Sequence, residues 1–114
     1  MFKVDTLSNN RVDIQVVKGN TFRKQIVIRD DARLTYIPCA ADQIIFQVFN
    51  KYTDTTPVFE KLIPYDTMVL ELTAKETARM RINDYVYKIR LIRMNNDVDD
   101  VIVGNFIVRT VIEI

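Results

Sequence analysis

The chain contains no histidine and no tryptophan, and only one cysteine, two glycines and three prolines. Each shortage removes a class of chemistry. Without histidine there is neither the commonest general base nor the commonest transition-metal ligand. No Ser-His-Asp or Cys-His arrangement can be built. Ser8 is the sole serine, and it sits in residues 1–10, which read as a flexible start to the chain. Structural zinc sites need clustered Cys and His, which are missing. With Cys39 alone no intrachain disulfide can form, which suits a reducing compartment or an extracellular setting without staples. Cys39 itself is expected to pack as a small residue near a strand end. Gly19 and Gly104 cannot make a phosphate-cradling loop, and no GxGxxG or Walker pattern occurs. No catalytic residue, no cofactor and no metal are expected, and the chain reads as non-enzymatic.

Two further features are scarce. No stretch reaches the roughly 18 apolar residues that a membrane span needs. The first ten residues carry no apolar run of signal-peptide length, so the mature chain is expected to start where the sequence starts. Excess charge is also absent: 16 basic and 15 acidic residues leave +1, whereas a dedicated nucleic-acid binder shows a strong basic surplus. Neither membrane nor nucleic acid is an expected partner.

What is present is β-forming sequence. The 114 residues fit one domain, 1–114, and 48% hydrophobic content is enough for a single core. Arg11 to Val17 and Thr21 to Arg29 read as strands around a Lys18-Gly19-Asn20 turn, and are expected to pair as a hairpin. Phe22, Ile26 and Ile28 share one face of the second run. Asp30 to Ala41 reads as a loop holding Pro38. Gln43 to Phe49 is a strand with Ile44, Phe46 and Val48 on one face. Val58 to Ile63 and Thr67 to Leu72 follow around Pro64. Asp84 to Met94 alternates most regularly. Val101 to Ile114 closes the chain, with Gly104 expected at a bulge or bend.

Between the last two pairs of strands lies Thr73-Ala-Lys-Glu76, which fits a capping box and predicts a short helix ending near Met80. The total is an all-β chain of about seven strands with one short helix, either a β-sandwich or a small barrel.

Three surface constellations are candidates for function. Ile45, Phe49, Val86, Ile92, Ile107 and Val111 are apolar on what should be outer faces, which suggests a partner surface or a homo-oligomer contact. Arg23, Arg29, Lys88, Arg90 and Arg109 would form a basic stripe if their strands were neighbours. Asn95, Asn96, Asp97, Asp99 and Asp100 offer oxygen ligands, but lack EF-hand spacing and read as a solvated hairpin turn. For glycan stacking the loop aromatics are Tyr36, Tyr52 and Tyr65; a common exposed platform would favour it.

The order of motifs resembles immunoglobulin-like domains of tailed-phage and prophage structural proteins. The segments are VVKGNTFRKQIVI (Val16 to Ile28), DQIIFQV (Asp42 to Val48), the corner Leu72 to Met80, DYVYKIRL (Asp84 to Leu91) and GNFIV (Gly104 to Val108). The resemblance implies an immunoglobulin-like antiparallel β-sandwich. It also implies a virion component of a tail, baseplate or fibre, assembled in the bacterial cytoplasm, whose partners are other virion subunits. On that fold Tyr85 or Tyr87 would bond back to upstream backbone as a tyrosine corner. The C-terminal strand, Val101 to Ile114, would extend a partner's sheet by edge pairing. The alternative is a carbohydrate-binding or adhesion module.

Overall fold

The computed structural model describes residues 10–29 and 34–110. In chain order the strands are β1 (Asn10–Arg11), β2 (Ile14–Val17), β3 (Phe22–Gln25), β4 (Ile28–Arg29), β5 (Thr35–Tyr36), β6 (Gln43–Phe49), β7 (Phe59–Ile63) and β8 (Val69–Leu72). Helix α1 (Ala74–Arg79) then precedes β9 (Asn83–Ile92) and β10 (Val98–Arg109). The protein is all-β with one short helix.

The main sheet has the order β1-β10-β9-β6-β7, with β2 continuing β1 along the same side of β10. It curls into a half-barrel. Two smaller sheets, β3–β8 and β4–β5, contribute to the same core. Alternation decides which residues reach it. Ile44, Phe46 and Val48 of β6 and Tyr85, Tyr87, Ile89 and Leu91 of β9 point inward and meet Leu70 and Leu72 of β8. At the centre, the Phe46 ring lies 5.5 Å from both Tyr87 and Phe106, at tilted and edge-on angles. Such ring pairs add about 0.5–1.5 kcal/mol each beyond burial.

The expected first hairpin does not form. The turn at Gly19 is present, with Asn20 N–H donating to Val17 carbonyl at 3.0 Å, but its two flanks go to different sheets. β2 pairs in parallel with β10, Ile14 opposite Phe106, whereas β3 pairs with β8, Phe22 opposite Leu72. The turn is a crossing between layers. The physical reason lies in β10, which is twelve residues long and can hold β9 on one side and β1 and β2 on the other.

That arrangement also corrects the expectation for the last strand. From Ile102 to Val108 β10 is flanked by β9 on one side and by β1 and β2 on the other, so this stretch offers no free edge to a partner's sheet. The terminal stretch 111–114 lies outside the described residues. The outermost strand at the far side is β7.

Gly104 is not at a bulge. The register shift falls between Asp100 and Ile102, and Gly104 stays in register opposite Tyr87. Its role is close approach. A Cβ there would stand 2.0 Å from the Val12 carbonyl oxygen, which crosses over Gly104 to accept a hydrogen bond from the Tyr87 hydroxyl at 2.5 Å. Tyr87 thus ties β9 to the link between β1 and β2, 75 positions away in sequence, far beyond the few residues a tyrosine corner spans.

Smaller corrections concern the segment 30–41. Its described part contains β5, which pairs with β4 through Ile28 opposite Tyr36. The acidic pair Asp30 and Asp31 lies outside the described residues. Cys39 is exposed rather than packed.

The helix forms as its local sequence dictates. The Thr73 hydroxyl accepts from Glu76 N–H at 3.2 Å, and the Glu76 carboxylate accepts from Thr73 N–H at 2.9 Å. Its buried residue, Thr77, anchors the layer crossing: Thr77 Oγ1 accepts from Gly19 N–H at 3.0 Å and donates to Asn20 carbonyl at 2.8 Å. Lys18 Nζ donates to the carbonyls of Ala78 and Met80 at the helix end, where a cation also suits the helix dipole.

Candidate functional site

The outer face of the main sheet collects most of the expected apolar set. Register places Val86 between Phe49 and Asn105, Ile45 between Arg90 and Leu62, Ile92 between Gln43 and Val98, and Ile107 between Asp84 and Gln15. Val111 lies outside the described residues. The set shares a face without forming one continuous apolar patch. A polar row, Lys88–Gln47–Glu60, runs across it, with Gln47 Nε2 donating to Glu60 at 2.6 Å. Phe49 is 4% exposed, and the Lys88 ammonium stands 5.4 Å from its ring centroid. Ile45, Val86, Ile92 and Ile107 are half-buried. Leu62 is the largest apolar group on this face that projects freely, at 63% exposed, and it sits beside Ile45 on the outermost strand. Its only signal in the sequence is its opposite phase to Phe59, Lys61 and Ile63 in β7.

The basic residues do not form a stripe. Arg23 lies on β3 and holds Glu71 at 2.6 Å; Arg109 holds Asp84 at 3.2 Å at the end of the main sheet. Arg29 is on β4. Only Lys88 and Arg90 are same-face neighbours. Arg90 binds Asp100 through both Nε and Nη2, at 2.9 and 3.4 Å, and this hydrogen bonding raises the guanidinium pKa further.

The acidic turn is likewise engaged internally. Asp99 accepts from Arg93 at 2.7 Å and Asp100 from Arg90, while Asn95 and Asp97 close the turn on each other. Among the described residues no three His, Cys, Asp or Glu side chains gather as a metal site would require. No helix there is long and apolar enough to cross a membrane.

The loop tyrosines are divided. Tyr36 and Tyr65 line a shallow groove that also includes Pro38 and Met68. Tyr36 is half-buried, and its hydroxyl is held by Asp42, next to the start of β6. Tyr52 is in the loop that follows the other end of β6, so the three rings make no common platform.

A cavity of about 570 Å³ has no counterpart in the sequence reading. It is a half-open groove between α1 and the ends of β6, β7 and β9. Val48, Phe59, Met80 and Tyr85 make its apolar floor, and Asn50, Arg79 and Arg81 its polar wall. Glu76 also lines it but is committed elsewhere: Lys61 Nζ donates to its Oε1 at 2.5 Å, and Thr73 N–H to the same oxygen. Burial by itself would raise the Glu76 pKa; the bonds from Lys61 and Thr73 outweigh it and hold the carboxyl below its ordinary value. Among the described residues Arg79 and Arg81 have no such partner. The only sequence signal was the Arg-Met-Arg run directly after a capped helix, which sends Met80 inward and both arginines out.

No family model matches this chain, and no curated protein sequence matches it.

Proposed function

We propose that the chain is a non-enzymatic structural or assembly module acting through protein–protein contacts. In this reading it is a phage or prophage virion component of a tail, baseplate or fibre, working in symmetric copies beside other virion subunits. The observation that carries the contact reading is the outer face of the main sheet. It bears Leu62, Ile45, Val86, Ile92 and Ile107 at the surface, in a chain whose inner faces already fill one core. Apolar groups on the far side of a filled sheet have no work inside the domain, and covering them with another chain is favourable.

The scaffold we propose is an immunoglobulin-like sandwich. In its favour, β10, β9, β6 and β7 lie in the order expected for the larger sheet of a variable-type domain, and β3 with β8 stands for the smaller one. The virion assignment rests on the motif order described above. The carbohydrate-binding or adhesion alternative has Tyr36 and Tyr65 on one groove in its support, but one of those rings has its hydroxyl engaged and Tyr52 is remote.

Light scattering over a wide concentration range tests the proposal. A trimer, hexamer or other closed ring is the expected result, because assembly proteins act in symmetric copies. A strict monomer at high concentration overturns self-assembly and turns attention to a heterologous partner or a glycan.

A further inference from the structure

We infer that the groove beside α1 is a docking site for an acidic, partly apolar peptide segment of a partner protein, with Arg79 and Arg81 receiving its carboxylates. The inference rests on the contact-module reading and names a surface separate from the outer sheet face.

The argument begins with how this protein treats its arginines. Arg23, Arg90, Arg93 and Arg109 each lie within 3.2 Å of a carboxylate, and Arg11 lies 3.9 Å from Asp13. Arg79 and Arg81 are exceptions among the described residues: both are exposed, both line this groove, and neither has a carboxylate of its own. The nearest candidate, Glu76, is neutralised by Lys61 and used by the helix cap. The groove wall therefore carries two uncompensated guanidiniums, each able to hold a carboxylate by two parallel hydrogen bonds.

Two more donors converge there. Tyr85 is 8% exposed, and neither its hydroxyl nor the Asn50 side-chain amide is engaged by any described residue. A nearly buried tyrosine usually spends its hydroxyl internally, as Tyr87 does. Beneath these donors lie Phe59 and Met80. A thioether floor adapts to differing side chains, and the cavity volume falls in the range of ordinary ligand sites, roughly 300–1,000 Å³. The matching ligand is anionic at two points and apolar between them. A peptide with leucine or phenylalanine flanked by glutamate or aspartate has that chemistry. A simple inorganic anion would leave the floor bare, and a neutral apolar segment would leave the arginines unmatched.

The test is titration of the isotope-labelled full chain, followed by NMR, with an eight-residue capped peptide alternating glutamate and leucine. A lysine–leucine peptide and a glutamate–serine peptide are the controls. Saturable shifts at the Asn50 side-chain amide, Arg79, Met80 and Arg81 are expected with the first peptide alone, weakening severalfold as salt is raised. The double variant Arg79→Glu, Arg81→Glu should bind at least about tenfold more weakly while keeping the wild-type melting temperature and sheet signals, since both residues are exposed. Equal shifts with the lysine peptide, or no shifts at millimolar peptide, overturn the proposal. So does binding of a uronate oligosaccharide at the same residues without binding of the peptide. A monomeric chain that still binds the peptide sinks self-assembly and leaves the groove; an oligomer that ignores the peptide does the reverse.

Discussion

Tyr36 donates its hydroxyl to Oδ2 of Asp42 at 2.6 Å, and this buried carboxylate ties the loop before β6 to the turn after β9. Asp42 also accepts from Cys39 N–H at 3.2 Å and, through Oδ1, from Met94 N–H at 3.1 Å. Burial alone would raise the Asp42 pKa, but the bonds from Tyr36, Cys39 and Met94 outweigh it and the net shift is downward. Burial and the Asp42 bond push the Tyr36 hydroxyl well above its ordinary range.

The sign of the pH effect follows. A carboxyl whose folded pKa is depressed adds stability above its unfolded value, and that stability drains away as pH falls through the folded pKa. Wild type should therefore lose stability below about pH 4, near the ordinary aspartate value, with Glu76 adding to the loss. Asp42→Asn should cost roughly 1–3 kcal/mol at pH 7, because whichever way the new amide turns, its NH₂ meets a backbone N–H, of Cys39 or of Met94, that can only donate. It should also flatten the acid limb in urea denaturation at pH 7 and pH 3. An unchanged acid limb would assign the titration to another group.

Gly104→Ala should be among the most damaging single-methyl additions. The new Cβ would fall 2.0 Å from the Val12 oxygen, which is backbone and must move. Overpacking typically costs about 1–3 kcal/mol, and displacement of Val12 also strands the Tyr87 hydroxyl. Gly19→Ala offers the contrast: its φ of +87° is strained for alanine but its surroundings are open, so about 1–2 kcal/mol is expected. Guanidinium denaturation of both variants gives the order; equal costs would argue against the close approach.

Thr77→Val keeps the shape of a fully buried side chain and removes its hydroxyl. It leaves Gly19 N–H and Asn20 carbonyl without their partner. About 2–3 kcal/mol should be lost, compared with about 1 for Thr73→Ala at the cap. Hydrogen exchange should show the 18–20 turn opening first in the valine variant. Faster exchange confined to α1 would instead mean that Thr77 matters only to the helix.

Leu62→Asp tests the outer sheet face. The side chain is 63% exposed, so monomer stability should change by less than about 0.5 kcal/mol. Self-association measured by light scattering should fall by at least tenfold. Unaltered association would move the contact away from β7.

Much of the local structure was legible because its causes lie within a few residues. The capping box of Thr73 and Glu76 closes over three positions, and its partners are close whatever the rest of the chain does. The alternation in Gln43 to Phe49 names its buried face directly, since β side chains repeat every two residues. The expected turns at Gly19 and at Asn95 to Asp97 also formed. These features determined that the protein is all-β with one short helix.

Pairing was another matter. Alternation states which face of a strand is apolar but not which strand lies beside it. That is why alternation suggests for Arg11 to Val17 its nearest neighbour in sequence, rather than β10 some ninety residues later. Gly104 reads equally well as a bulge or as a crossing point until the Val12 carbonyl is seen above it. The same holds for Arg79 and Arg81. Their charge is in the sequence, but that they find no carboxylate among the described residues and overlook an apolar groove depends on where β6, β7 and β9 end around the helix. Local bonding and periodicity are properties of the chain; neighbours, edges and clefts arise only when one core is filled from distant segments.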